Sequence, residues 1–144
     1  VPRFDFEGLK FVTAHSSVPI MADESCWDAK DALRLVSQRA VDLINIKLMK
    51  CGGLYEAKKI TAIAEAAGVE VMLGCMAEES GIGVTAAASL GAALKNITRA
   101  DLDATFSLKE LPYEGGFTVK DTRHLILSSD PGLGIKCLKK EMLA

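Results

Sequence analysis

Four short apolar runs in this 144-residue chain each end on side chains able to bind or react, and each leads into a helical pattern. They are Pro19–Asp23, Leu43–Lys47, Val71–Met76 (which closes on Cys75-Met76) and Ile97–Asp103. The closing residues stand about 24 to 29 positions apart, the length of one β-strand with its following α-helix. An ordinary core strand gains nothing from an ionised end, whereas a (β/α) barrel builds its active site from successive strand ends. The repeat therefore predicts an α/β fold of about four parallel βα units, part of a TIM-like barrel, with chemistry at the strand termini.

Local patterns fill in this frame. Phe4–Ser16 reads as a helix with Phe6, Leu9, Val12 and Thr13 on one side. Val18–Ala22 reads as a strand, and Ser25 as the N-cap of a helix over Trp27–Arg39 whose stripe is Ala29, Ala32, Leu33 and Val36. Leu43–Leu48 is the next strand. Cys51-Gly52-Gly53 turns the chain into a helix carrying Leu54, Ala57, Ile60, Ala64 and Ala67, which Gly68 stops. Val69–Met76, Ser80–Leu94 and Ile97–Asp103 complete the series as strand, helix and strand. After Phe106 the pattern changes to turn signals, Pro112, Gly115-Gly116 and Pro131-Gly132-Leu133-Gly134, around two short strands, Phe117–Lys120 and Leu125–Leu127.

Composition excludes several classes of function. A formal net charge of −2 and the lack of a basic stripe offer no footprint for nucleic acid. The one cationic cluster, Lys136–Lys140, reads as a solvated tail. The uncharged run that begins at Ser80 and ends before Lys95 is too short for a membrane span, and Val1–Lys10 has no signal-peptide character. Four cysteines without paired or metal-ligand spacing fit a reduced, cytoplasmic protein. The chain opens at Val1-Pro2 without an initiating Met and reads as a piece of something longer.

Three groups could carry chemistry. Alternation along Leu43–Leu48 sets Ile44, Ile46 and Leu48 on the helix-facing side and Asn45 and Lys47 on the other. A lysine held inside a barrel suits proton transfer, while one at a strand end can also snorkel to solvent. Spacing alone leaves both open. Asp23, followed by Glu24, could ligate Mg²⁺ or could serve a helix N-terminus. Asp101 and Asp103 share a side with Leu102 opposite, as a receptor for an ammonium or metal would, or as a solvated loop would. His15, His124 and Trp27 read as surface or packing residues.

These segments together resemble the enolase superfamily in its muconate-lactonizing subgroup, and most closely its dipeptide epimerases. The matching stretches are Met21–Ser25, Asn45–Lys50, Gly74-Cys75-Met76, Asp101-Leu102-Asp103 and Asp130–Ile135. The resemblance implies the C-terminal half of a (β/α)7β barrel, with residues 1–106 as strands five to eight and residues 107–144 as a short irregular β tail returning toward a capping domain. It implies Mg²⁺ as cofactor with Asp23 as one ligand, Lys47 as the acid/base on one face of the substrate, and Asp101 and Asp103 as the pair receiving a dipeptide ammonium. Cys75 and Met76 are placed beside the substrate, with Glu24 and Asn45 behind. The implied reaction is removal of the proton α to a carboxylate through an enediolate, with return of a proton on the opposite face.

Such proteins have a Glu-Gln-Pro segment directly before the position of Val1, and a capping domain, a second lysine and two further metal ligands beyond this sequence. The isolated chain is therefore expected to be inactive, with a homo-oligomer or a missing N-terminal half as its partner. Other readings stay open: an N-acylamino acid racemase, an o-succinylbenzoate synthase, a cycloisomerase, or a non-catalytic half-barrel.

Overall fold

The computed structural model describes residues 1–77 and 79–139. Helix α1 (Phe6–His15) leads into β1 (Met21–Ala22), α2 (Ala29–Ser37), β2 (Leu43–Ile46), the short α3 (Leu48–Cys51), α4 (Leu54–Ala66), β3 (Glu70–Leu73), α5 (Gly81–Ala93) and β4 (Ile97–Ala100). Strands β1 to β4 lie side by side in chain order and all pair in parallel. The expected α/β architecture of four parallel βα units is present, and consecutive parallel neighbours of this kind need helical crossovers.

The core explains the pattern. Ile44, Ile46, Val71 and Leu73 are fully buried in the sheet and pack against Ala32 and Leu35 of α2, Ala57, Ile60 and Ala64 of α4, and Val84, Ala87 and Leu90 of α5. A fully buried leucine such as Leu35 contributes about 2 kcal/mol. The small residues let helices approach closely. Gly81 likewise lets α5 meet the tail, since an added Cβ would sit 1.7 Å from the Tyr113 hydroxyl.

Helix α2 differs from its expected phase. Its N-cap is Asp28, not Ser25: Asp28 Oδ1 accepts from the backbone N–H groups of Lys30 and Asp31 at 2.8 and 2.9 Å. Glu56 of α4 accepts from the Ala29 N–H at 2.9 Å, so a second carboxylate satisfies another donor of the first turn. The buried stripe is therefore Ala32 and Leu35, while Leu33 is 58% exposed. In α1, Phe6 and Leu9 are buried but Val12 is exposed.

The tail is β-rich. Phe117–Lys120 (β6) pairs antiparallel with His124–Leu127 (β7), close to the expected pieces. A second ladder joins Tyr113–Gly115 (β5) to Ile135–Leu138 (β8), which the sequence patterns do not announce. Phe117, Leu125 and Leu133 pack on the main core, and Tyr113 is buried. Of the expected cationic cluster Lys136–Lys140, Lys140 lies outside the described residues.

Candidate active site

Parallel pairing sends the C-terminal ends of β1 to β4 to one side of the sheet. Asp23 follows β1 directly, Lys47 follows β2, Cys75 and Met76 follow β3, and Asp101 and Asp103 follow β4. The residues picked out at the strand ends thus share one end of the fold. They form two groups there.

The first group is built on Asp23. Lys47 keeps an extended backbone, so it prolongs β2 by one residue before α3 begins. Its Nζ lies 2.8 Å from Asp23 Oδ2 and 3.4 Å from Glu24 Oε1. Lys50, one turn further along, places its Nζ 2.7 Å from Asp23 Oδ1. The same ammonium donates to the Asp23 carbonyl at 2.5 Å and the Asn45 carbonyl at 2.9 Å. Partial burial pushes the Asp23 carboxyl up, but hydrogen bonds and charge from Lys47 and Lys50 outweigh it and hold the carboxyl below its ordinary value. The hydrogen bond to Asp23 and the charges of Asp23 and Glu24 hold the Lys47 ammonium above its ordinary value, against the smaller effect of burial.

The second group joins the ends of β3 and β4. The Asp101 N–H donates to the Leu73 carbonyl at 2.8 Å, which extends the sheet past β4. Leu102 is buried while Asp101 and Asp103 on either side of it are exposed, the split expected of these three residues. The Cys75 thiol lies 3.4 Å from the Asp101 carbonyl and 3.6 Å from Asp103 Oδ1. Burial and the neighbouring Asp103 carboxylate both push this thiol up. The backbone N–H of Met76 donates to Glu79, whose side chain is buried against the turn.

Asn45 is only 7% exposed, and its side-chain Oδ1 has no hydrogen-bond partner among the described residues. Its ordered contact with the first group runs through its backbone carbonyl, to Lys50. Its amide lies over Gly74, where an added Cβ would come within 2.7 Å of Oδ1. The sequence reasoning gave Lys50 and Glu79 no role. A second lysine three positions after Lys47 looks like any helix-surface residue, and only the fold reveals its burial.

A divalent cation finds one suitable ligand here. Asp23 is an ionised carboxylate whose Oδ2 already receives a cation, the Lys47 ammonium, and such hard oxygens suit Mg²⁺. No group of three His, Cys, Asp or Glu side chains able to hold a metal occurs among the described residues. Asp23 fits one corner of a coordination shell, and the other corners need ligands from elsewhere.

Comparison with known proteins identifies the family. The profile of the family described as Enolase C-terminal domain-like matches residues 1–141. The chain belongs to the enolase C-terminal domain-like family. Within that family it is 61% identical over 135 residues to a hydrophobic dipeptide epimerase of Enterococcus faecalis, covering 94% of this chain and 38% of the relative. It is 47% identical to the L-Ala-D/L-Glu epimerase of Bacillus subtilis, covering 94% of this chain and 36% of that one. A crystal structure of the E. faecalis dipeptide epimerase with Mg and L-Leu-L-Tyr superposes with a TM-score of 0.91 at 60% identity, over 95% of this chain and 39% of that one. The chain thus spans less than two-fifths of the length of these enolase-family relatives. Its four parallel strands match the C-terminal half of their barrel. Among the described residues, no helix is long and apolar enough to cross a membrane.

Proposed function

We propose that residues 1–106 supply strands five to eight of the barrel of a Mg²⁺-dependent dipeptide epimerase, and that residues 107–144 form a tail returning toward a capping domain. The observation that carries this reading is the contact between Lys47 Nζ and Asp23 Oδ2, 2.8 Å apart at neighbouring strand ends. It sets a proton-carrying amine beside a carboxylate suited to a metal, as removal of a proton α to a carboxylate demands. The identity to dipeptide epimerases, one of them crystallised with Mg and a dipeptide, supports it.

In this reading Lys47 delivers and accepts the α-proton on one face of the substrate. A second lysine, on the opposite face, would come from outside residues 1–144. Asp23 is one metal ligand. Bound at Asp23, Mg²⁺ would supply positive charge where the substrate carboxylate gathers negative charge. Asp101 and Asp103 receive the substrate's ammonium and so fix its orientation before proton transfer. Cys75 and Met76 line the space beside that pair.

Isotope exchange in the whole protein that carries this chain tests the proposal. Lys47→Met should abolish epimerisation, since no proton can be taken or returned on its face. Exchange of the α-proton with deuterated solvent should persist from only one of the two epimers, the one served by the other base. Unchanged turnover in both directions would remove Lys47 from the mechanism.

A further inference from the structure

Lys50 has no part in the chemistry above, yet its charge is enclosed beside Asp23. Its side chain is 2% exposed. Its three ammonium hydrogens meet three acceptors: Asp23 Oδ1, the Asp23 carbonyl and the Asn45 carbonyl, at 2.7, 2.5 and 2.9 Å. An ammonium has three donors and no acceptor, so nothing remains to offer a substrate. Removing an ammonium from water costs several kcal/mol, a cost that the attraction within a buried ion pair often fails to recover. Stability alone is therefore a poor reason for a lysine here. Position is a better one, because its acceptors belong to two neighbouring strand segments: Asp23 directly follows β1 and Asn45 lies within β2.

We propose that Lys50 is a positioning residue that pins the end of β1 to β2, occupies the inner oxygen of Asp23, and so presents only Oδ2 beside Lys47. The catalytic consequence rests on the function proposed above. The pinning itself does not. The pinned segment continues into Cys26, whose thiol is buried and whose N–H donates to the same Asp23 carbonyl at 3.0 Å. Cys26 therefore reports on the pin without reference to metal or substrate.

The test uses the whole protein carrying this chain, with Lys50→Met, Lys50→Arg and, as a comparison of equal structural kind, the core truncation Ile60→Val. At saturating Mg²⁺, Lys50→Met should lower kcat about 100-fold, the scale of a misplacement of about 1 Å, and leave KM for a dipeptide within about threefold. Lys50→Arg, which keeps charge and donors, should recover about tenfold of that loss. Alkylation of Cys26 by iodoacetamide, without metal or substrate, should be about tenfold faster in Lys50→Met, because opening of the 23–28 segment becomes easier. Ile60→Val should change kcat and alkylation by less than about twofold once matched for thermal stability.

Lys50→Gln carries the same comparison where Lys50→Met does not fold. An unaltered kcat in Lys50→Met, or losses shared equally with Ile60→Val, would overturn the proposal. If the wild-type protein turns over no dipeptide, the functional reading fails by itself. Alkylation then decides the pin: faster in Lys50→Met alone upholds it, and parallel rates in Lys50→Met and Ile60→Val sink it.

Discussion

Lys47 and Lys50 carry the same charge, stand one helical turn apart and touch the same carboxylate, yet their surroundings prepare them for different work. Lys47 keeps 15% of its side chain exposed and shares its proton-bearing nitrogen with Asp23 and Glu24. Lys50 is fully bound. A comparable division separates Asp101 and Asp103 from the buried Leu102 between them, and the two exposed aspartates are what distinguishes the dipeptide reading from that of an N-acylamino acid racemase. A free ammonium binds an aspartate pair through charge-assisted contacts worth about 1.5–3 kcal/mol each. Asp103→Asn should therefore lower kcat/KM for L-Ala-L-Glu or an apolar dipeptide about 10- to 150-fold. An N-succinylamino acid has no ammonium, so its turnover, if any, should hold or rise as the carboxylate repulsion is relieved. Steady-state kinetics on both substrate types, in wild type and variant, checks this. Equal losses for both would make the pair structural and return the assignment to the wider subgroup.

At the scale of elements, helix α2 shows what a capping residue decides. Asp28 holds two N–H groups of the first turn, whereas Ser25, the residue favoured by its type alone, makes no side-chain hydrogen bond to that helix. Asp28→Ala should lower stability by about 1 kcal/mol, the usual value of an N-cap, and Ser25→Ala by less than about half of that. Urea unfolding of the two variants measures the difference, and a larger loss for Ser25→Ala would reverse the assignment of the cap. The same helix marks the limit of what the sequence makes legible. Its existence followed from periodicity, but moving the start from Trp27 to Ala29 turns the buried stripe from Leu33 to Leu35, about two positions around the helix. Strand order and parallel pairing were legible because the βα repeat forces them. The length of β1 was not: Pro19 has no N–H, and the Ile20 N–H bonds the Asp42 side chain instead of a strand, leaving two ladder residues where five were expected. Asp23, Lys47 and the Asp101–Asp103 pair were visible because charge at a strand end is unusual. Lys50 was not, since its three acceptors lie far away in sequence or on the backbone.

At the scale of the molecule, the sheet stops at β1 and β4 within the described residues, each paired on one side only. Parallel strands are stable when both faces and both edges are covered, and an uncovered edge offers a row of backbone groups to any other strand. Several large apolar side chains are also exposed around the fold, among them Phe4, Phe11, Val18, Met49, Tyr55 and Phe106. Such surface on a small chain drives association. Prepared alone, residues 1–144 should therefore elute as oligomers or aggregate, with light scattering reporting a mass above the 15.4 kDa of one chain. The same preparation should bind Mg²⁺ only weakly, because Asp23 offers a single carboxylate and Mg²⁺ demands a near-octahedral shell of oxygens. Calorimetric titration tests the second half. The two measurements are linked, since both follow from the function proposed above, in which further strands would cover the edges and bring the other ligands. A monodisperse monomer that binds Mg²⁺ in the micromolar range would contradict both, and would mean that Asp23 and its neighbours assemble a metal site from this half of the barrel alone.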